Sequence, residues 1–151
     1  METLTLGVQR SINSTFTDQQ LVERLTFLEQ RAAEMEESIR YAGSLQRSIL
    51  PNELIFKNIF TDAFVLFQPK DIVSGDFYWI FQHHDDVYFA VGDCTGHGVP
   101  GAIVSMLGYN GLNSSVNEKK LKEPKDILNN LNDYIENTFS KSITKILLEK
   151  V

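Results

Sequence analysis

From Leu21 onward, apolar residues return at alternating steps of four and three: Leu21, Leu25, Leu28, Ala32, Met35, Ile39 and Ala42. That spacing is the seam of a coiled-coil helix, flanked by the charged Glu23, Arg24, Glu29, Arg31, Glu36 and Glu37. Thr17-Asp18-Gln19-Gln20 has the form of a capping box and predicts the helix start. Pro51 predicts its end. A helix over residues 17–49 spans about 50 Å at roughly 1.5 Å per residue. At Gly43 the phase breaks and the apolar positions move to Leu45 and Ile49, which are expected to face the domain that follows. A parallel dimer through residues 17–42 buries the seam with the fewest assumptions. The other reading is a helix folded back on its own domain. Residues 1–16 show no period and read as a loose tail.

Downstream the period changes. Phe60 to Gln68 reads as a first strand, with Phe64, Leu66 and Phe67 as core candidates. Phe77 to Phe81 and Val87 to Val91 are two further short runs of aromatic and β-branched residues, the composition of strands. The polar residues between them form a hairpin loop. If His83 to Asp86 are the loop, residues whose numbers add to 169 face each other, so Tyr78 opposes Val91 and Asp76 opposes Asp93. One face carries Ile80, Phe89 and Val91, the other Phe77, Trp79, Phe81 and Ala90. A hairpin apolar on both faces is expected to be buried on both, inside a layered α/β or α+β domain. Val99 to Asn113 reads as a mostly apolar helix, Ser114 to Glu123 as a polar loop. Pro124 opens a helix in which Ile127, Leu128, Leu131, Tyr134, Ile135 and Phe139 keep a 3.6 period. Ile143, Ile146, Leu147 and Leu148 either extend it with a kink or form strand sequence.

The register creates an electrostatic problem. Like charges directly across a strand pair repel, and Asp76 and Asp93 meet at the open end of the hairpin. A cation resolves the conflict, and oxygen donors without His or Cys beside them suit Mg²⁺, Mn²⁺ or Ca²⁺ rather than zinc. The alternative is two loop aspartates that start and stop strands. After Asp93 the chain turns through Cys94-Thr95-Gly96-His97-Gly98 and enters a helix at Val99-Pro100. His97 in that turn either protonates a leaving serine oxygen or holds the loop through hydrogen bonds to backbone. His83 and His84 are expected as solvent-exposed turn residues.

Charge supports a cation-collecting site. The formal net charge is −6, and residues 50–117 hold 7 acidic against 2 basic residues. Nucleic-acid binders show the opposite sign. The single cysteine, Cys94, excludes an internal disulfide, and without a cationic run beside it a reactive thiol is a minor reading. No apolar run approaches the roughly 18 residues of a membrane span, and there is no signal-peptide pattern. A cytoplasmic location is the expectation.

Ser74-Gly75-Asp76-Phe77-Tyr78, followed by Val91-Gly92-Asp93-Cys94-Thr95-Gly96-His97-Gly98-Val99-Pro100-Gly101-Ala102, resembles the bacterial PPM-type (type 2C-like) serine/threonine phosphatases, in the branch of sporulation and sigma-factor regulators. The resemblance begins near Ser44-Leu45-Gln46-Arg47-Ser48-Ile49-Leu50-Pro51 and runs to about Phe139. It implies an α+β fold in which a long N-terminal helix (coiled coil) precedes part of a PPM-type αββα sandwich. It also implies that Asp76 and Asp93 are metal ligands, Asp93 bridging two Mn²⁺ or Mg²⁺ ions, with Cys94 adding its backbone carbonyl. Catalysis would be hydrolysis of phosphoserine or phosphothreonine by a water the ions activate. The implied partner is a phosphorylated regulatory protein, such as an anti-sigma-factor antagonist. Ser74 stands where the family commonly has glycine, a change at a turn residue.

The family's later aspartate motifs have no match after Phe139. The organisation expected is therefore a tail (1–16), a coiled-coil linker helix (17–50) and the N-terminal half of a phosphatase domain (51–151). That half alone is expected to turn over little or no substrate. A second function, coiled-coil dimerisation or signalling by a catalytically incomplete fragment, competes with the phosphatase reading.

Overall fold

The computed structural model describes residues 17–148, with side chains through Ser140; the tail assigned to residues 1–16 lies outside them. Helix α1 (Asp18–Ile49) starts as the capping box requires. The Thr17 N–H donates to Gln20 Oε1 at 2.9 Å and the Gln20 N–H returns to Thr17 Oγ1 at 3.3 Å. The chain divides into two compact units, Met1–Ser38 and Ile39–Val151. Within the first, Leu21, Leu25, Leu28 and Met35 are all exposed.

The second unit begins inside α1, and its contact residues differ from those the apolar pattern names. Leu45 is exposed, whereas Gly43 and Gln46 are buried. Residue 43 must be small, because a Cβ there would lie 2.6 Å from the Ile72 carbonyl oxygen. The helix therefore approaches the chain at Ile72 through a glycine and an amide rather than through leucine. A short helix α2 (Glu53–Ile59) follows, capped by the Asn52 side chain, which accepts from the N–H groups of Leu54 and Ile55.

No strand forms over residues 60–68. Phe64 is 90% exposed and Leu66 73%, so neither is a core residue. An extended run becomes a strand only when another edge pairs with it, and here none does.

Strands β1 (Asp76–His83) and β2 (Asp86–Asp93) pair antiparallel with Asp76 opposite Asp93 and Tyr78 opposite Val91. The pairing runs one step further than the four-residue loop, to His83 opposite Asp86. His84 and Asp85 then make the turn, with His84 at φ 55. One face packs as expected. Phe77 and Trp79 form the core with Leu112, Val116 and Ile127, supported by Phe81, Tyr88 and Ala90. The other face is only half covered. Tyr78 meets the rings of Phe56 and Phe67 and donates to the Pro51 carbonyl at 3.1 Å, but Phe89 is 74% and Val91 84% exposed. Two-sided burial thus fails on the β2 side, where an open groove of about 560 Å³ runs from Phe64 past Phe89 to Asp93.

Helix α3 (Gly98–Asn113) runs against β1, so close at Gly108 that a Cβ there would lie 3.0 Å from the Phe77 ring. It continues without a break into a π-helical turn, Ser114–Glu118, where a polar loop was expected. Ser115 and Val116 there are buried. Wider helical rings commonly absorb an extra residue, and here the widening turns Val116 to the core. Helix α4 (Pro124–Leu148) closes the layer, and Ile143 to Leu148 extend it as helix rather than strand. Its Asn130 donates to Ser115 Oγ at 2.8 Å and accepts from Lys119. Among the described residues no helix is long and apolar enough to cross a membrane.

Candidate metal and phosphate site

The hairpin brings the two aspartates together by register alone. Asp76 is the first residue of β1 and Asp93 the last of β2, so both sit at the open end, exposed to solvent. Behind them lies a knot of backbone. The Cys94 N–H donates to the Gly75 carbonyl at 3.3 Å. A Cβ on Gly75 would come within 2.9 Å of the carbonyl oxygens of both Cys94 and Gly96. A Cβ on Gly101, in the first turn of α3, would stand 2.5 Å from the Gly96 oxygen and 3.2 Å from Gly75 Cα.

Three glycines from three segments therefore touch without side chains between them. Gly96 turns at φ +97 and Gly98 enters the helix at φ +62, conformations that an L side chain rarely takes. Gly101→Ala is expected to destabilise the fold by about 1–3 kcal/mol, because the colliding atoms are backbone and cannot rotate away. A lowered urea midpoint with an unchanged slope checks it.

Cys94 reports the local field. Its thiol is pushed above the ordinary cysteine value, first by burial, then by the negative charges of Asp93 and Asp76. A thiol so placed is a poor nucleophile. Ser74 contributes more than a turn. Its hydroxyl accepts the Asp76 N–H at 2.9 Å, fixing the backbone from which the Asp76 carboxylate projects.

His97 precedes α3 at its N-cap and makes no side-chain capping bond. Of its two sequence readings, the loop-holding one, with hydrogen bonds to backbone, is not what forms. The ring is 85% exposed and its Nδ1 lies 3.3 Å from Asp71 Oδ2. Asp71 is a partner the sequence did not single out. Nor did Gln46 or Ser105 stand out, although both are buried beside Ser74. The signal for Gln46 was available in the spacing: it stands four residues after Ala42 and three before Ile49, on the continuation of the apolar seam. His83 and His84 stand at the far end of the hairpin, stacked edge to ring on each other.

The donor set is chemically suited to a hard divalent cation: two carboxylates and one carbonyl, all oxygen. It is also small. Among the described residues, no group of three His, Cys, Asp or Glu is arranged to hold a metal ion.

The family model described as "Stage II sporulation protein E (SpoIIE)" matches residues 83–149 of this chain. Among solved structures, the "SiaA-PP2C domain of Pseudomonas aeruginosa" superposes with a TM-score of 0.66 at 31% sequence identity. That match takes in 74% of this chain, which spans 45% of the length of the other. No curated protein matches the chain.

Proposed function

Because the chain belongs to the bacterial PPM-type phosphatases, we propose that it supplies the first part of a Mn²⁺- or Mg²⁺-dependent centre that hydrolyses phosphoserine or phosphothreonine on a regulatory protein. The observation that carries this reading is the hairpin register, which sets Asp76 opposite Asp93 at the glycine turn. Family membership favours it over a purely structural coiled-coil module.

Asp76 and Asp93 would hold the metal, with Asp93 bridging two ions and the Cys94 carbonyl as a further ligand. When bound, such ions neutralise the charge that develops on the transferring phosphoryl group. The carboxylates do the rest of the positioning, and their mutual repulsion keeps the site ready for a cation. His97 Nδ1 faces Asp71 Oδ2, which leaves Nε2 as the ring atom turned to a substrate; an imidazolium protonated on both nitrogens would give its Nε2 proton to the leaving serine oxygen and remain as neutral imidazole. An anti-sigma-factor antagonist is the class of phosphorylated partner that this branch of the family suggests.

Incubated with Mn²⁺ and a phosphoserine peptide, the chain by itself is expected to release phosphate slowly at most. Two carboxylates and a carbonyl leave two ions short of protein ligands. Any release should vanish in Asp93→Ala. Release that survives that substitution would overturn the assignment.

The proposal extends to the helix. Leu21, Leu25, Leu28 and Met35 are exposed on one seam, and burying each side chain is worth about 1.5–3 kcal/mol. A parallel homodimer through residues 17–42 would collect that gain. Light scattering should give twice the chain mass, and Leu25→Glu with Leu28→Glu should give a folded monomer. A wild-type chain that stays monomeric at high micromolar concentration rules the dimer out.

A further inference from the structure

Gln46 sits in the last turns of α1, between the exposed Leu45 and Arg47, and its own side chain is 5% exposed. A buried primary amide is costly unless every donor and acceptor is matched. Here all are. Gln46 Oε1 accepts the Ser74 N–H at 2.9 Å, and Nε2 donates to the Ser74 carbonyl at 2.6 Å and to Ser105 Oγ at 2.9 Å. The Ser105 hydroxyl has one proton and two acceptors in reach, the Ala102 carbonyl at 2.9 Å and the Ser74 carbonyl at 3.0 Å. The side-chain amide thus pairs with the two polar groups of one residue as a neighbouring strand would.

What lies on either side of that residue gives the pairing its consequence. Ser74 Oγ holds the Asp76 N–H, and the Gly75 carbonyl holds the Cys94 N–H. The first bond leads from the residue that Gln46 grips, and the second from the residue after it, to a residue proposed as a metal ligand. Gly43, one turn earlier, lets the helix come close enough to the Ile72 carbonyl for the amide to reach.

We infer that Gln46 is a positioning residue that couples the last turns of α1 to the Asp76 and Cys94 ligands through the backbone of Ser74 and Gly75. Rotating or sliding α1 at this point breaks the amide pairing and releases the backbone that presents Asp76. This deepens the reading of the site as a metal centre, and rests on it for the ligand roles of Asp76 and Cys94. The expectation from sequence that Leu45 faces the domain gives way to a polar contact at Gln46, while Ile49 is half-buried. Polar pairing is directional, so a small displacement disrupts it, whereas an apolar contact slides.

The test uses the full chain and its Gln46→Met variant, similar in shape but without the amide. Backbone amide exchange is followed by NMR, and Mn²⁺ alone is titrated by calorimetry. Exchange at Ser74, Asp76 and Cys94 is expected to accelerate about tenfold, the equivalent of a lost hydrogen bond, while Trp79 and Ala90 in the hairpin keep their protection. Mn²⁺ affinity is expected to fall about tenfold, as when a residue supporting a ligand is removed.

Unchanged exchange at Asp76, or equal acceleration at Asp76 and in the hairpin, would overturn the inference. The second outcome would make Gln46 a general stability residue. If Gln46→Met does not fold, Ser105→Ala takes its place. It removes one partner of the amide, and the same local pattern at Ser74 and Asp76 is expected with a smaller amplitude. If the wild-type chain binds no Mn²⁺, the metal reading fails, while the exchange pattern still decides whether Gln46 holds the Asp76 backbone.

Discussion

Asp93→Asn is expected to change Mn²⁺ binding and the stability of the metal-free chain in opposite directions. Asp76 and Asp93 are direct partners across an antiparallel pair, an arrangement that costs a few tenths of a kcal/mol to about 1 kcal/mol when both are charged. Neutralising one removes that repulsion, so the metal-free variant should unfold at a slightly higher urea concentration. The same substitution withdraws the proposed bridging ligand. Mn²⁺ affinity should then fall by tenfold or more, and in Asp76→Asn it should fall less, since the proposed arrangement gives Asp76 only one ion to hold. A residue that merely ended a strand would show neither loss. Equal Mn²⁺ affinity in the parent and both variants would remove the metal reading altogether.

The second large effect separates two aromatic residues of the same hairpin. Trp79→Ala should cost about 3–5 kcal/mol, a large share of the roughly 5–15 kcal/mol available to a domain. Trp79 is 3% exposed in the core, lies stacked on Phe81 and donates its Nε1–H to Asn113 Oδ1 at 2.9 Å. Removing it empties the space between the sheet and α3 and leaves Asn113 without that donor. Phe89→Ser, on the open face, should stay within about 0.5 kcal/mol. Urea unfolding of the two variants checks the contrast. A Phe89→Ser loss as large as that of Trp79→Ala would mean that the open face is covered in solution.

Much of this protein was legible in its sequence because the deciding interactions are local. The Thr17–Gln20 box forms between residues three apart, and the α1 and α4 periods need no partner to be read. The hairpin register follows from turn length, since a fixed turn and a period of two set every pair from His83–Asp86 to Asp76–Asp93. The glycine turn and the family resemblance rest on contiguous residues as well.

Tertiary structure decided what depends on distant neighbours. Phe60 to Gln68 has strand composition, but a strand needs an edge to bond to, so Phe64 and Leu66 remain exposed. Composition likewise made both hairpin faces apolar, yet the face away from α3 and α4 is covered only on its β1 side, and Phe89 and Val91 stay exposed. The four-three spacing runs on from Ala42 to residues 46 and 49, so no phase break exists at Gly43, but hydrophobicity pointed to Leu45 as the contact. The inward position went to Gln46, because what waits there is the buried N–H and carbonyl of Ser74, which an amide can pair with and a leucine cannot.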